Sequence, residues 1–122
     1  MTPTELKDLA EWSAEFLGFD RLQNSGEWKF EFRNVNYLLN EKDFYDEKGF
    51  APILMHLGKR EMEKRGLSIQ YTKWSLSFGE KGHTYTFFME DSTHCVAGSV
   101  SHENKFIAFW SAVYEAMKGE TK

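Results

Sequence analysis

The stretch LSIQYTKWSLSFGEKGHTYTFFMEDSTHCVAGSV, Leu67–Val100, decides the fold class. Apolar residues alternate with small polar ones through it, and Gly79-Glu80-Lys81-Gly82 and Glu90-Asp91-Ser92-Thr93 divide it into three segments. Alternation at period two, broken by Gly, Asp and Ser, is the pattern of an antiparallel meander. If both breaks are tight turns, Phe78 lies opposite His83, Leu76 opposite Tyr85 and Trp74 opposite Phe87, while Met89 meets His94 and Phe87 meets Val96. Those side chains share one large apolar face. The other face carries Ser75, Ser77, Thr84, Thr86, Cys95, Ala97 and Ser99, with Phe88 the one bulky exception. Such a face either receives a closely packed helix or meets solvent. Ile69 and Tyr71 are out of step with Trp74 and Leu76, which predicts a bulge near Thr72 or Lys73.

Helices are expected on either side of the meander. Thr2, Pro3 and Glu5 form a capping-box start, Leu6, Leu9, Ala10, Ser13, Phe16 and Leu17 recur at helical spacing, and Gly18 supplies a stop. Glu5, Asp8, Glu11 and Glu15 make the outer face of that helix acidic. Pro52 opens a second helix with Leu54, Leu57, Gly58 and Met62 on one face, Ile53 nearby, and Gly66 as its stop. The last helix takes its cap from Ser99 or Ser101, carries Phe106, Ile107, Trp110, Val113, Tyr114 and Met117 at helical spacing, and ends at Gly119. Between the first two helices, Trp28 to Arg33 alternates apolar with charged residues, as a strand with one buried face does. Asn34 to Asn36 interrupts it, Tyr37 to Leu39 begins a second short strand, and Glu41 to Gly49 is a charged loop. The expected fold is therefore α+β, in the order α-β-(β)-α-β-β-β-α. It has an antiparallel sheet of four to five strands with helices on one or both faces, in a single domain over 1–122.

Composition excludes several function classes. At 122 residues, 41% hydrophobic and 16% aromatic, the chain has the material for one core. A net charge of -4 argues against a general nucleic-acid binder. Cys95 is the only cysteine, so neither an internal disulfide nor a cysteine-based zinc site is expected, and a reducing cytoplasm suits the count. The polar, acidic start from Met1 to Glu5 does not resemble a secretory signal. No run reaches the roughly 20 apolar residues of a membrane helix. A cytoplasmic protein without membrane attachment is expected.

Groups that could carry chemistry each have a plainer reading. His56, His83, His94 and His102 are scattered, and the expected pairing sets His83 and His94 too far apart to share a metal. His94 and Cys95 are strand neighbours that point to opposite faces, so they do not form a nucleophile and base pair. Glu41, Asp43, Asp46 and Glu47 are diluted by Lys42 and Lys48 and lack the order of a calcium loop. No glycine loop suited to phosphates is present. Neither a catalytic residue, a cofactor site nor a metal site is expected. What remains are candidates for partner binding. Trp12 lies off the inward stripe of its helix, Phe44, Tyr45, Asp46 and Glu47 join aromatics to acids in a loop, and Lys59, Arg60, Lys64 and Arg65 form a basic helix face interleaved with Glu61 and Glu63. The aromatic share suits a homodimer interface as well as a core.

The order of these elements also resembles a known family. Leu9-Ala10-Glu11-Trp12 through Leu17-Gly18, Phe50-Ala51-Pro52 at the second helix, the meander, and Asn104-Lys105-Phe106-Ile107-Ala108 near the end are similar to the phage ABA-sandwich proteins. These are small proteins of phages and prophages in which a sheet lies between helical layers, and no activity is assigned to the family. The resemblance implies two covered sheet faces, with the closest helix against Ser75, Thr86, Ala97 and Ser99. It supplies no functional residues, and the charged segment from Glu41 to Lys48 has no place in its pattern. The function expected is that of a non-catalytic phage or prophage accessory protein that binds a host or phage protein, inhibition of a host defence system being one form of that role. A small-ligand or nucleotide binder, with a pocket of aromatics and Lys or Arg, is the first alternative. A nucleic-acid-binding accessory protein using the Lys59 to Arg65 face is the second.

Overall fold

The structure, a computed structural model, describes residues 2–22, 26–75, 78–89 and 96–120, with backbone alone at 119 and 120. The first helix, α1 (Pro3–Phe16), starts where expected. Thr2 is its extended N-cap, and Thr2 Oγ1 accepts from the Glu5 N–H at 3.2 Å and donates to the Glu5 carboxylate at 3.1 Å. Gly18 ends it with φ of +80°, a conformation that costs glycine little. Three short strands follow, β1 (Asp20–Arg21), β2 (Trp28–Phe32) and β3 (Val35–Leu39), paired antiparallel in that order. What the sequence suggested as an interruption at Asn34–Asn36 is a two-residue turn. Arg33 and Asn34 take φ of 51° and 65°, and Phe32 pairs directly with Val35.

The expected loop after β3 is partly ordered as a 3-10 turn, Glu41–Phe44. Asn40 Oδ1 accepts from the Lys42 N–H at 3.0 Å, and the Asn40 N–H donates to Asp43 Oδ2 at 2.8 Å. Short-range capping by these polar groups turns Phe44 inward, where its exposure is 0%. Helix α2 (Ala51–Lys64) buries Leu54, Met55, Gly58 and Met62. Strands β4 (Leu67–Ser75), β5 (Lys81–Met89) and β6 (Val96–His102) then form the meander, and α3 (Lys105–Glu120) closes the described chain. The fold is α+β; among the described residues there are three α-helices, and six strands form two separate three-stranded sheets rather than one sheet of four to five.

The meander has a different register from the expected one. Ser75 pairs with Lys81, Trp74 with Gly82, Tyr71 with Tyr85 and Ile69 with Phe87. The link from β4 to β5 is thus five residues, 76–80, and not a tight turn at Gly79–Gly82. An odd displacement exchanges the faces. Trp74 therefore leaves the face of Tyr85 and Phe87 and lies across Gly82, where a Cβ would stand 2.1 Å from its ring. Trp74 Nε1 donates to Thr84 Oγ1 at 3.2 Å. Glycine opposite an indole pins this register, because no other residue leaves the ring room. The β4–β5 ladder runs unbroken from Leu67 to Ser75, so the bulge expected at Thr72 or Lys73 is absent; the irregularity lies between Phe87 and Phe88, opposite Val96 to Gly98. Phe87 faces Gly98, not Val96, and Phe78 is 74% exposed. The expected partners Leu76 and His94, together with Cys95, lie outside the described residues.

Helix α3 packs on the Tyr85 and Phe87 face, and the closest approach is at Gly98, where a Cβ would meet Ala116 N at 2.6 Å and Ala112 O at 2.8 Å. The helix therefore sits opposite to the face that the family resemblance implied. On the other face, Gln70, Thr72, Ser99 and Ser101 are exposed, and Thr84 and Thr86 are half-buried. Hydroxyl pairs cross the strands there, Thr84 to Ser101 at 2.6 Å and Thr86 to Ser99 at 2.9 Å. Ser99 and Ser101 thus belong to β6 and do not cap α3. Asn104 caps it, its Oδ1 accepting from the N–H groups of Phe106 and Ile107 at 2.9 and 3.1 Å. Among the described residues no helix is long and apolar enough to cross a membrane.

The two glycine contexts differ in what a methyl group would meet. Gly98→Ala collides with helix backbone and is expected to destabilise by about 3 kcal/mol, the upper part of the overpacking range. Gly18→Ala meets nothing within 4 Å and carries only backbone strain, about 1 kcal/mol. Urea denaturation of the two variants, with the unfolding midpoint of Gly98→Ala the lower, checks the difference.

Candidate functional site

Antiparallel pairing brings together aromatic side chains that the sequence keeps apart. Tyr71 on β4 lies opposite Tyr85 on β5, and its ring stacks on Tyr85 at 4.7 Å and on His83 at 5.8 Å. Tyr71 Oη lies 2.6 Å from His83 Nδ1. Two helices place ammonium groups over this row. Lys59 of α2 stands 5.9 Å from the Tyr85 ring centre, and Lys105, the first residue of α3, stands 5.5 Å from that of Tyr71. Lys73, paired with His83 in the ladder, adds a third cation. Burial first, then Lys73 and Lys105, hold His83 below the ordinary histidine value. Burial first, then Lys105, lowers the Lys59 ammonium, partly offset by Glu63. Burial raises the Tyr85 hydroxyl, and Tyr71 beside it adds to the shift.

The row opens into a cleft of about 900 Å³. Tyr71, Lys73, Lys81, His83 and Lys105 form one side, and Glu41, Asp46 and Glu47 face them. Asn104 joins the two walls. Its backbone N–H donates to His102 Nδ1 at 2.9 Å, and its side-chain amide donates to the Tyr45 carbonyl at 3.3 Å. Tyr45 Oη in turn donates to the Leu6 carbonyl at 2.6 Å, tying the segment to α1. Burial, aided by Glu41, raises the Tyr45 hydroxyl far above the ordinary tyrosine value.

The candidates from sequence therefore divide. Tyr45, Asp46 and Glu47 line the cleft, but Tyr45 is a half-buried strut and Asp46 Oδ1 accepts from the Lys48 N–H at 3.0 Å within its own turn. Phe44 is not an exposed anchor, since Trp28 and Trp110 pack edge-on to its ring at 5.7 and 6.0 Å. The basic face of α2 is dispersed. Lys59 turns to Tyr85, Lys64 pairs with Glu61 at 3.8 Å, Arg65 lies 5.0 Å over the Phe16 ring, and Arg60 remains exposed beside a separate groove with Glu61 and Lys64. These four do not present one array to a nucleic-acid backbone.

Trp12 is half-buried, stacked on Phe16 at 5.2 Å and edge-on to Tyr114 at 5.2 Å. It helps to line a second groove of about 560 Å³ between α1 and α3, with Leu9, Val100 and Tyr114. Glu5, Asp8 and Glu115 border that groove, and Ser111 Oγ within it is buried without a hydrogen-bond partner. Tyr71, Lys73, Lys105 and Tyr114 were not singled out from sequence as site residues, and His83 was weighed only as a metal ligand. Their signal is positional only, since Tyr71 and Lys73 meet Tyr85 and His83 once the register is known.

No family model, no curated protein and no solved structure matches the chain. Among the described residues no group of three or more His, Cys, Asp or Glu side chains could hold a metal ion. The histidine hydrogen bonds described here run to Tyr71 and to the Asn104 N–H, not to a serine or threonine hydroxyl. Tyr45→Phe removes the bond to Leu6 and leaves its carbonyl with one partner fewer. A loss of about 1 kcal/mol in unfolding free energy is expected, read from urea denaturation.

Proposed function

We propose that this protein is a non-catalytic phage or prophage accessory protein that acts by binding a basic segment of a host or phage protein in the groove between α1 and α3. The resemblance to phage sandwich proteins supports the biological setting. The observation that carries the mode of action is the groove itself, an aromatic floor of Trp12 and Tyr114 bordered by Glu5, Asp8 and Glu115. Asp8 and Glu115 pair with no basic side chain among the described residues. Glu5 is held by Thr2 at the helix start, and Tyr114 is 38% exposed.

Each part suits a Lys- or Arg-bearing partner. Carboxylates at a rim steer and orient a basic segment, while Trp and Tyr offer ring faces to a guanidinium or ammonium group and apolar area to its stem. Aromatic anchors of this kind commonly dominate interface energy.

The test is capture from bacterial lysate followed by titration of the purified partner. Tyr114→Ala, which loses an exposed ring, is expected to weaken binding about 30-fold, as for a hot-spot aromatic. The double reversal Asp8→Lys and Glu115→Lys should abolish it, and binding of the parent protein should weaken with salt. A partner held equally well by parent and reversed protein removes the groove from consideration.

A further inference from the structure

We infer that the cleft at the start of α3 is a separate binding site for a small phosphate-bearing molecule, held between Lys105, Lys73 and the Tyr71–His83 pair. It shares no residue with the groove between α1 and α3.

The charge arrangement motivates it. Acidic residues outnumber basic ones 19 to 15 in the chain, yet Lys59, Lys73 and Lys105 gather around one aromatic row and none pairs with a carboxylate among the described residues. Like charges drawn together repel: burial is the main reason Lys59 and His83 are held below their ordinary values, and the neighbouring lysines add to it, with Glu63 a partial offset at Lys59. An anion set among the ammonium groups removes that repulsion. The rings also fix where the charges stand. Lys105 lies over Tyr71, so the anion meets a placed donor there rather than a free chain, while Lys59, over Tyr85, stands in the adjoining hollow that Lys105 also lines.

The geometry narrows the ligand. Tyr71 already stacks on both Tyr85 and His83, so the aromatic row is occupied by its own members and the recognised group is the anion, not a flat base. Glu41, Asp46, Glu47 and Glu103 line the rest of the cleft. They repel an extended polyanion such as a nucleic-acid strand, but tolerate a compact phosphate whose remainder is neutral or cationic. A phosphomonoester fits both walls.

Protons should follow the anion. His83 is faced by Tyr71 and Lys73 from β4, by His102 of β6, by Lys81 on its own strand, by Glu103 and Lys105 at the start of α3, and by Glu41, Tyr45 and Asp46 across the cleft. In the free protein burial, Lys73 and Lys105 disfavour its charged form. An anion between those lysines offsets their charge and favours protonation. Binding then takes up a proton and tightens as pH falls through the histidine range.

The full chain is titrated calorimetrically with inorganic phosphate, pyrophosphate, phosphoethanolamine, adenosine monophosphate and a single-stranded DNA 20-mer at constant ionic strength. Phosphate-bearing small molecules should bind, phosphoethanolamine more tightly than inorganic phosphate, and the DNA should not. Lys73→Gln, on an exposed strand position, and Lys105→Gln should each weaken binding about tenfold, the loss of a charge-assisted contact. Thermal unfolding without ligand verifies that both variants fold. Sulfate, whose charge is constant from pH 5.5 to 8, reports the proton linkage. Its affinity should rise toward pH 5.5, and His83→Gln should flatten that profile. Binding that is equal in parent and both lysine variants, an absence of heat with every phosphate compound, or preference for the DNA would each overturn the site. None of these outcomes bears on partner capture by the groove between α1 and α3, so the two readings fail separately.

Discussion

The backbone of α3 rests on the backbone of β6 at Gly98, and the rest of the molecule is arranged around that contact. A helix approaches a sheet this closely only where the facing residue has no side chain, and a Cβ at Gly98 would stand under 3 Å from two α3 backbone atoms. On its other side α3 meets α2 at Gly58, where a Cβ would stand 2.8 Å from Trp110 and 2.9 Å from Phe109. Gripped from both sides, α3 buries every residue from Phe106 to Trp110, as a helix covered all round does. Aromatic contacts extend the grip outward. Tyr85 meets Phe109 at 5.4 Å, Phe109 meets Trp110 at 5.0 Å, Trp110 meets Phe44 at 6.0 Å and Phe44 meets Trp28 at 5.7 Å. This chain of rings joins two sheets that share no strand pairing.

Because α3 takes the Tyr85 and Phe87 face of the meander, the opposite face is left to be satisfied by its own residues. Short hydroxyl side chains suit that face. Thr84 with Ser101 and Thr86 with Ser99 bond across the strands, and Trp74 lies flat over Gly82 with its N–H given to Thr84. A smooth stretch of Ser and Thr is therefore not a signal for a close helix. The signal was Gly98, one residue from the small polar run and on the other side of the pleat.

Much of the fold was legible where a residue acts on its neighbours. Thr2, Pro3 and Glu5 start α1, and Gly18 and Gly66 stop helices with positive φ, each by local geometry that a sequence carries openly. The misreadings arose where distant partners decide. Gly79 and Gly82 looked like the ends of one tight turn, but Gly82 is needed opposite Trp74, and that requirement sets a register differing by an odd number of residues. Phe44 stood among charges, yet the polar groups of Asn40 and Asp43 are spent on capping the short turn that drives it inward. Arg33 and Asn34 make a left-handed turn without a glycine, which composition does not flag. The lysine and tyrosine cluster draws on positions 59, 71, 73, 83 and 105, from two helices and two strands, and only the register and the seat of α3 bring them together.

That convergence changes what net charge can exclude. A total of -4 is evenly uninformative about a surface on which one helix carries opposite fields near its two ends. Lys105 stands with Lys73 and His83 on one wall of its cleft and Glu115 at the acidic groove, ten residues apart and so about 15 Å along the axis of α3. At physiological ionic strength that separation exceeds the screening length of about 8 Å, so each surface keeps its own sign. The acidic α1 lies beside the C-terminal half of α3 and the basic residues of β4 beside its start, which holds the two fields apart by packing rather than by sequence distance. A chain that is acidic overall can thus carry a local cluster of lysines where a rigid helix holds Lys105 beside Lys73 and His83, even with carboxylates on the facing wall. The Gly98 contact supplies the rigidity.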